Sequence, residues 1–402
     1  MSAKASFITG AALLAFAATT AAAENAPGVT ATEIKIGQTM PYSGPASSYG
    51  VIGKADVAFF RMINDKGGIN GRKIVLISED DGYNPAKALE HTRKLVESDQ
   101  VAFIFDTLGT PSNSAIQKYL NERKIPQLFP STGADKWGDY QNFPWTIGFQ
   151  PSYRTEAEIY AKYILKQRPN AKIAVLYQND DFGKDYLAGL KDVLADRYAR
   201  MVIKEASYEV TDPTIDTQII ALQASGADTF VLAATPKFAA QAIRKVYALS
   251  WKPMFFMTNV STAVSTVLEA VGTEKAIGII SAAYQKDPAD PAMANDPGIR
   301  QFFDFMQKYM PDADRGNANY ISGYNLSMAM VQVLKQCGND LSRANIMRQA
   351  ANLRNLELPG LLPGILVNSS PTNYHAIRQF QLMRWNGRVW ERFGDVLHDA
   401  QS

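Results

Sequence analysis

The sequence predicts an α/β fold of two lobes, each a doubly wound parallel sheet with helices on both faces. Three observations carry this. Residues from Ile34 to Asp81 read strand, loop, helix, turn, strand, which is one right-handed βαβ unit. The same alternation continues to Phe149. It then starts afresh at Tyr153 and runs to Ala282 as a second series of the same kind.

In the first series, Ile34 to Thr39 is a short apolar run that stops at Met40-Pro41, because proline cannot continue a central strand. Tyr42-Ser43-Gly44-Pro45 is a loop, and Ser47 or Ser48 stands where a cap for the next helix belongs. Val51, Ala55, Ala58 and Met62 give that helix an apolar face, and Gly67-Gly68 stops it. Lys73 to Ile77 is the second strand. Pro85 suits the first turn of a helix over Ala86–Glu97. Strands over Val101–Phe105, Ile125–Phe129 and Trp145–Phe149, with a helix over Asn113–Arg123, complete the set.

The second series places helices over Tyr153–Gln167, Lys184–Asp196, Asp216–Ser225, Pro236–Ala248 and Val264–Val271. Strands over Lys172–Tyr177, Val202–Tyr208, Thr229–Ala233, Met254–Thr258 and Ala276–Ala282 alternate with them. Asp287 to Pro297 reads as an exposed loop. Three helices follow, over Ile299–Tyr309, Tyr320–Gln336 and Leu341–Asn352. Asn386-Gly387, between extended runs over Ile377–Trp385 and Arg388–Phe393, predicts a type I′ hairpin.

At 402 residues the chain is long enough for two cores. A net charge of +2, from 41 bases and 39 acids without a basic run, gives no case for nucleic acid. Lys4, the apolar run Phe7–Ala18 and Ala21-Ala22-Ala23 before Glu24 predict a secretory signal peptide over residues 1–23. The single cysteine, Cys337, excludes an intramolecular disulfide and reads as a packed helix-end residue; no cysteine at the cleavage site offers a lipid anchor. The expected product is a free, exported, monomeric protein.

Catalytic signatures are missing. Gly50 to Lys54 has the wrong glycine spacing for a phosphate loop, and Gly67 to Gly71 lies between helix and strand, the reverse of a dinucleotide loop. His91, His375 and His398 lie far apart in sequence and from Cys337. Asp80-Asp81 and Asp180-Asp181 read as capping or solvated acids, since neighbouring carboxylates on a strand-end loop face different ways. No metal, cofactor or catalytic residue is expected. What the strand-end loops do carry is hydroxyls: Tyr42, Ser43, Ser47, Ser48, Tyr49, Thr107, Thr110, Ser112, Ser131 and Thr132 fall along one edge of the first lobe. With helix N-termini beside them, they suit the carboxylate or polar head of a small ligand. Tyr49, Tyr153 and Phe182 would supply apolar walls.

The stretches IKIGQTMPYSGPASSYG, INDKGGINGRKI, DDGYNP, LGTPSNSAI, IPQLFPSTGAD and NDDFGKDY together resemble the branched-chain amino-acid binding family of periplasmic solute-binding proteins, the two-lobed receptors of ABC importers. The resemblance covers nearly the whole mature chain. It implies the type I periplasmic binding fold, lobe one from 33–148 plus 284–363, lobe two from 149–283 plus 364–395, and a hinge of three strands. It also implies periplasmic localisation, a small-molecule ligand in the cleft, and membrane permease and ATPase subunits as partners.

By the same resemblance, Tyr49 faces the cleft and Gly109 or Thr110 is a small hydroxylic contact. Ser131, Thr132 and Gly133 receive the ligand carboxylate, and Phe182 is a lobe-two aromatic. Ala234 or Thr235 stands where amino-acid binders often have a Tyr, and Asn259 where they place an acid for the α-ammonium. A buried ammonium without an opposite charge is costly, and Asn259 supplies none unless Asp106 or Asp181 compensates. The expected ligand is therefore an aromatic or aliphatic carboxylate lacking an ammonium, with Tyr153 and Tyr320 suited to a ring. An amino acid, or a sensing subunit of the same fold, is the alternative. Tyr83 and Leu108 stand where some relatives have a disulfide.

Overall fold

Apolar strands joined by amphipathic helices produce two separate sheets in the computed structural model, which describes residues 25–398. The signal peptide expected over 1–23 lies outside the described residues. The first sheet contains β1 (Glu33–Met40), β2 (Lys73–Asp80), β3 (Ile104–Phe105), β4 (Gln127–Leu128) and β5 (Thr146–Ile147). They are parallel throughout, in the order β2-β1-β3-β4-β5. Helices α1 (Val51–Asp65), α2 (Pro85–Glu97) and α3 (Thr110–Glu122) connect them.

After β5 the chain enters α4 (Tyr153–Gln167), β6 (Ile173–Gln178), α5 (Asp181–Leu194), the short α6 (Tyr198–Met201), β7 (Val202–Tyr208) and α7 (Asp216–Ala224). It continues through β8 (Thr229–Ala233), α8 (Pro236–Ala248), β9 (Met254–Met257), the single turn α9 (Glu269–Val271) and β10 (Ile280–Ala283). Three helices, α10 (Pro297–Tyr309), α11 (Ala318–Cys337) and α12 (Arg343–Ala350), precede the hairpin β11 (Gln379–Trp385) and β12 (Trp390–His398). The second sheet has the order β12-β11-β10-β9-β8-β6-β7. Its parallel part ends at β10, and the hairpin closes that edge antiparallel. The fold is thus two α/β lobes, the second with a mixed sheet.

Several elements differ in detail from the sequence expectation, for identifiable reasons. Strands β3 and β4 pair over two residues each, because Asp106 and Phe129, at φ 48° and 56°, turn the chain out of extended geometry. Neither Ser47 nor Ser48 caps α1; Ser47–Gly50 forms a 3-10 turn that runs straight into it. The β11–β12 connection is not a type I′ turn. Trp385 pairs with Trp390 across four residues, only Gly387 has positive φ, and Asn386 Oδ1 accepts the N–H groups of Arg388 and Val389 at 2.8 Å each. His398 is the last residue of β12. The acidic pairs behave as expected: Asp80 is exposed and accepts from Ser43 and Gly82, whereas Asp81 is buried and accepts from Tyr83 and Ser112.

The C-terminal helices return to the first lobe. Phe59 of α1, Phe302 and Phe305 of α10 and Tyr324 of α11 form one aromatic cluster, with Phe305 and Tyr324 centroids 5.0 Å apart. Helices α1 and α11 approach closely at Gly323, where a Cβ would lie 2.5 Å from the Ile52 carbonyl oxygen. Cys337 is the buried last residue of α11, and burial pushes its thiol up to about 12. No described helix is long and apolar enough to cross a membrane.

Gly323→Ala is expected to lower the stability of the folded chain by about 1–3 kcal/mol, because backbone cannot yield to the added methyl. Urea unfolding with unchanged m-value measures it.

Candidate ligand cleft

The carboxyl ends of the parallel strands in both sheets face a common cleft of about 1010 Å³ of empty space, its open mouth included. Tyr49, Gly109, Thr110 and Ser131 line it from the first lobe; Phe182, Thr235 and Asn259 line it from the second, with Tyr153 at the start of α4. These were all readable as candidates in the sequence. Thr107, Thr132, Gly133 and Tyr320 are not on the wall. Thr107 is buried, its Oγ1 accepting the Thr39 N–H at 3.4 Å and its carbonyl accepting from Asn113 Nδ2 at 2.6 Å. Thr132 lies behind Thr110. Gly133 supports Tyr153: its carbonyl accepts the Tyr153 N–H at 2.7 Å, and a Cβ there would meet the Pro151 carbonyl oxygen at 2.4 Å. Tyr320 packs in the first lobe's core. Of the pair Ala234 and Thr235, Thr235 lines the cleft and Ala234 sits in the second core.

The first-lobe wall is built around a glycine. Gly109 has φ 95°, and a Cβ on it would fall 2.4 Å from the ring of Tyr83. Tyr83 and Leu108, where relatives were expected to carry a disulfide, pack instead in one apolar cluster with Tyr49 and Ile52, and all four border the cleft. Beside Gly109, Thr132 Oγ1 accepts the Ala134 N–H at 3.2 Å and the Trp137 indole N–H at 3.4 Å. With those two donors on its lone pairs, Thr132 is the favoured donor in its 2.6 Å contact with Thr110 Oγ1, where the geometry admits either direction. The Thr110 hydroxyl hydrogen is then free for the cleft. This wall offers a donor.

The second-lobe wall rests on Glu156, a residue the sequence did not single out. It sits in the first turn of α4 and is fully buried. Its carboxyl accepts the Asn259 N–H at 2.8 Å and the Asn259 side-chain N–H. It also accepts the Tyr186 hydroxyl at 2.6 Å and contacts the Tyr160 hydroxyl. Burial pushes this carboxyl up to about 7, against the lowering by its hydrogen bonds. A Glu at a helix start reads as an ordinary first-turn acid; only contact with Asn259 from beyond β9 reveals it. Tyr153, Phe182 and Tyr186 form one aromatic cluster, Phe182 edge-on to both tyrosines, with Tyr153 and Phe182 centroids 4.8 Å apart.

Neither acid considered as a substitute for a charge at Asn259 reaches the cleft wall. Asp106 is fully buried beside Asp56, and burial together with that neighbour raises it well above the carboxylate range. Asp181 pairs with Lys136 at 3.2 Å. The charged residues that do line the cleft are Lys286, paired with Asp296 at 2.7 Å, and Asp287, which burial raises to about 6. Both follow β10 in a stretch that read as the edge of an exposed loop.

The lobes touch across the cleft. Tyr49 Oη donates to the Val260 carbonyl at 2.8 Å. Further along, the Asp135 N–H donates to Asp185 at 2.7 Å, and Asp181 accepts from Lys136 and, at 3.4 Å, Ser114.

A family model described as periplasmic binding protein matches residues 33–389. The Leu/Ile/Val-binding protein homolog 7 of Brucella suis biovar 1 (strain 1330) is 24% identical over 315 residues, which is 75% of this chain and 77% of the relative. In structure the chain is similar to a branched-chain amino acid ABC transporter protein from Thermus thermophilus with bound valine. The TM-score is 0.82 at 15% identity, covering 92% of this chain and 97% of that one. It is also similar to the fatty acid ABC transporter substrate-binding protein from Thermomonospora curvata, with a TM-score of 0.76 at 21% identity over 94% of this chain and 95% of that one. At these identities the structural likenesses speak to the fold.

Because the folded chain raises the Glu156 carboxyl from 4.5 to about 7, it favours the protonated form. That stabilisation is complete below the unfolded value and is lost as pH rises through the folded one. The rise corresponds to about 3 kcal/mol. Chemical unfolding of the wild type and Glu156→Gln at acid and at mildly alkaline pH should show the wild type losing roughly that much more stability than the variant. Equal pH profiles would mean that Glu156 ionises normally in the fold.

Proposed function

The chain belongs to the periplasmic binding protein family, and on that premise we propose that it is the extracytoplasmic solute-binding component of an ABC importer, capturing a small aromatic or aliphatic carboxylate without an ammonium. Solute-binding proteins of this fold are not enzymes, and no turnover of the bound compound is expected. The observation that carries the ligand class is Asn259: an amide, not a carboxylate, stands at the second-lobe wall, backed by an acid whose burial favours its neutral form. The Thr110 donor and Ser131 on the opposite wall suit a carboxylate.

Capture proceeds by hinge closure, with lobe one over 33–148 plus 284–363 and lobe two over 149–283 plus 364–395. The three crossovers at these boundaries are the hinge. The ligand favours the closed state because only there do both walls reach it, and Tyr49 to Val260 adds a direct bridge. The closed form is then presented by the monomer to permease and ATPase subunits. A second reading, an amino-acid ligand, is favoured by Asp287, a cleft carboxylate with no basic partner within 4.0 Å among the described residues, and by the Leu/Ile/Val-binding name of the relative.

A thermal-shift panel of leucine, valine and phenylalanine beside benzoate-type, cinnamate-type and straight-chain acids separates the two. A ligand that binds only the folded state stabilises it by about 2.7 kcal/mol at a hundredfold excess over Kd. The plain acids should give the shift; a shift confined to the amino acids would replace this reading by the second. For any ligand so found, Tyr49→Phe removes the bridge to Val260 and should weaken binding by roughly fivefold to tenfold, read by calorimetry.

A further inference from the structure

The hydrogens around Glu156 can be counted. Tyr160 Oη lies between two acceptors, the Glu156 carboxyl and the Met257 carbonyl oxygen at 2.8 Å, and it has one hydrogen to give. With Glu156 ionised, one of those two close contacts holds two oxygens and no hydrogen, inside a fully buried cluster where such a contact is costly. With Glu156 protonated, both Tyr160 contacts are filled. Glu156 Oε1–H donates to Tyr160 Oη, whose hydrogen goes to Met257, while the remaining Oε1 lone pair accepts the Asn259 N–H. On the other carboxyl oxygen, Oε2 accepts from Tyr186 Oη and from the Asn259 side-chain N–H. Tyr186 Oη is also placed to donate to Thr258 Oγ1 at 2.6 Å, so its one hydrogen serves two acceptors. Burial raises the Glu156 carboxyl in the same sense. No basic side chain pairs with it among the described residues.

The same count fixes the Asn259 amide. Its nitrogen is committed to Glu156, so Oδ1 is the one polar atom of that side chain without a partner among the described residues, on a residue that lines the cleft. An amide oxygen backed by a neutral acid accepts a hydrogen bond without supplying a countercharge. Across the cleft, the Thr110 hydroxyl has a hydrogen to donate. One wall gives and the other receives.

We propose that Glu156 is a neutral positioning residue that locks the Asn259 amide with its carbonyl oxygen offered to the cleft, so that the site selects a carboxylic acid carrying a hydroxyl over one carrying an ammonium. This deepens the function proposed above and rests on it. An ionised Glu156 would instead place negative charge behind the amide and favour a cationic group.

The experiment has two readouts on the full mature chain. The first is the infrared difference spectrum between wild type and Glu156→Gln near pH 6, without ligand. A carboxylic-acid carbonyl band in the wild type is expected; carboxylate bands alone overturn the assignment. Should Glu156→Gln fail to fold, Asn259→Ala, at a half-buried position, removes one donor to the carboxyl and shifts the same acid band, whereas a shift of carboxylate bands overturns it. The second readout is binding by calorimetry of matched triplets on one carbon skeleton. These are 4-methylpentanoate, 2-hydroxy-4-methylpentanoate and leucine; 3-phenylpropanoate, 3-phenyllactate and phenylalanine; and 4-methylbenzoate, 4-(hydroxymethyl)benzoate and 4-(aminomethyl)benzoate.

In at least one triplet the hydroxy acid should bind about tenfold more tightly than its parent, and Asn259→Ala should bring that ratio to about one. Parent and hydroxy acids binding equally would overturn this inference and leave the proposed function standing. Leucine or phenylalanine binding best would overturn both. If no triplet binds, the carboxylate reading falls, and the infrared band alone decides for or against the neutral Glu156.

Discussion

A carboxyl group shut away from water must find a cation, gather hydrogen-bond donors or keep its proton, and Glu156 pairs with no cation among the described residues. That constraint organises the second lobe around the cleft. The carboxyl binds α4 to α5 through Tyr186 and to the end of β9 through Asn259, and through Tyr160 it reaches the Met257 carbonyl. The strand-end loop that carries Asn259 is therefore held by hydrogen bonds to a helix residue 103 positions earlier. Fixed in this way, the wall is polar, and it is uncharged wherever Glu156 keeps its proton.

The first lobe reaches a complementary result by different means. Left-handed geometry at Gly109 lets Tyr83 lie against the backbone, and the apolar cluster of Tyr83, Leu108, Tyr49 and Ile52 takes the place of a covalent cross-link. Thr132, hidden behind the wall, sets the direction of the Thr110 hydroxyl. Polar atoms at the surface of the cleft are thus aimed by neighbours that no ligand would touch. Such pre-set donors and acceptors lower the cost of ordering on binding.

Much of this was legible in the sequence. The βαβ periodicity located both sheets, the strand-end hydroxyls and aromatics named Tyr49, Thr110, Ser131, Tyr153 and Phe182, and the family resemblance added Asn259, all on the cleft wall. Local signals failed where tertiary contacts decide. Asn386-Gly387 has the composition of a two-residue turn, yet the Asn386 side chain caps the turn backbone and widens it to four residues. Thr107 and Thr132 have the same chemistry as Thr110 and nearly the same position, but one residue along a strand-end loop is enough to turn a hydroxyl inward. Glu156 was invisible because an acid in a first helical turn is ordinary. Its burial follows only from the meeting of α4, α5 and β9.

The central claim is that the ligand carries an acid group and no positive charge. The most direct measurement is the mass and elemental composition of the small molecule released by denaturing protein that was purified, without prior unfolding, from its native cells. An acid of carbon, hydrogen and oxygen, free of basic nitrogen, is the result this account predicts. A released amino acid or other amine would contradict it and would move the search for the ligand's countercharge to Asp287.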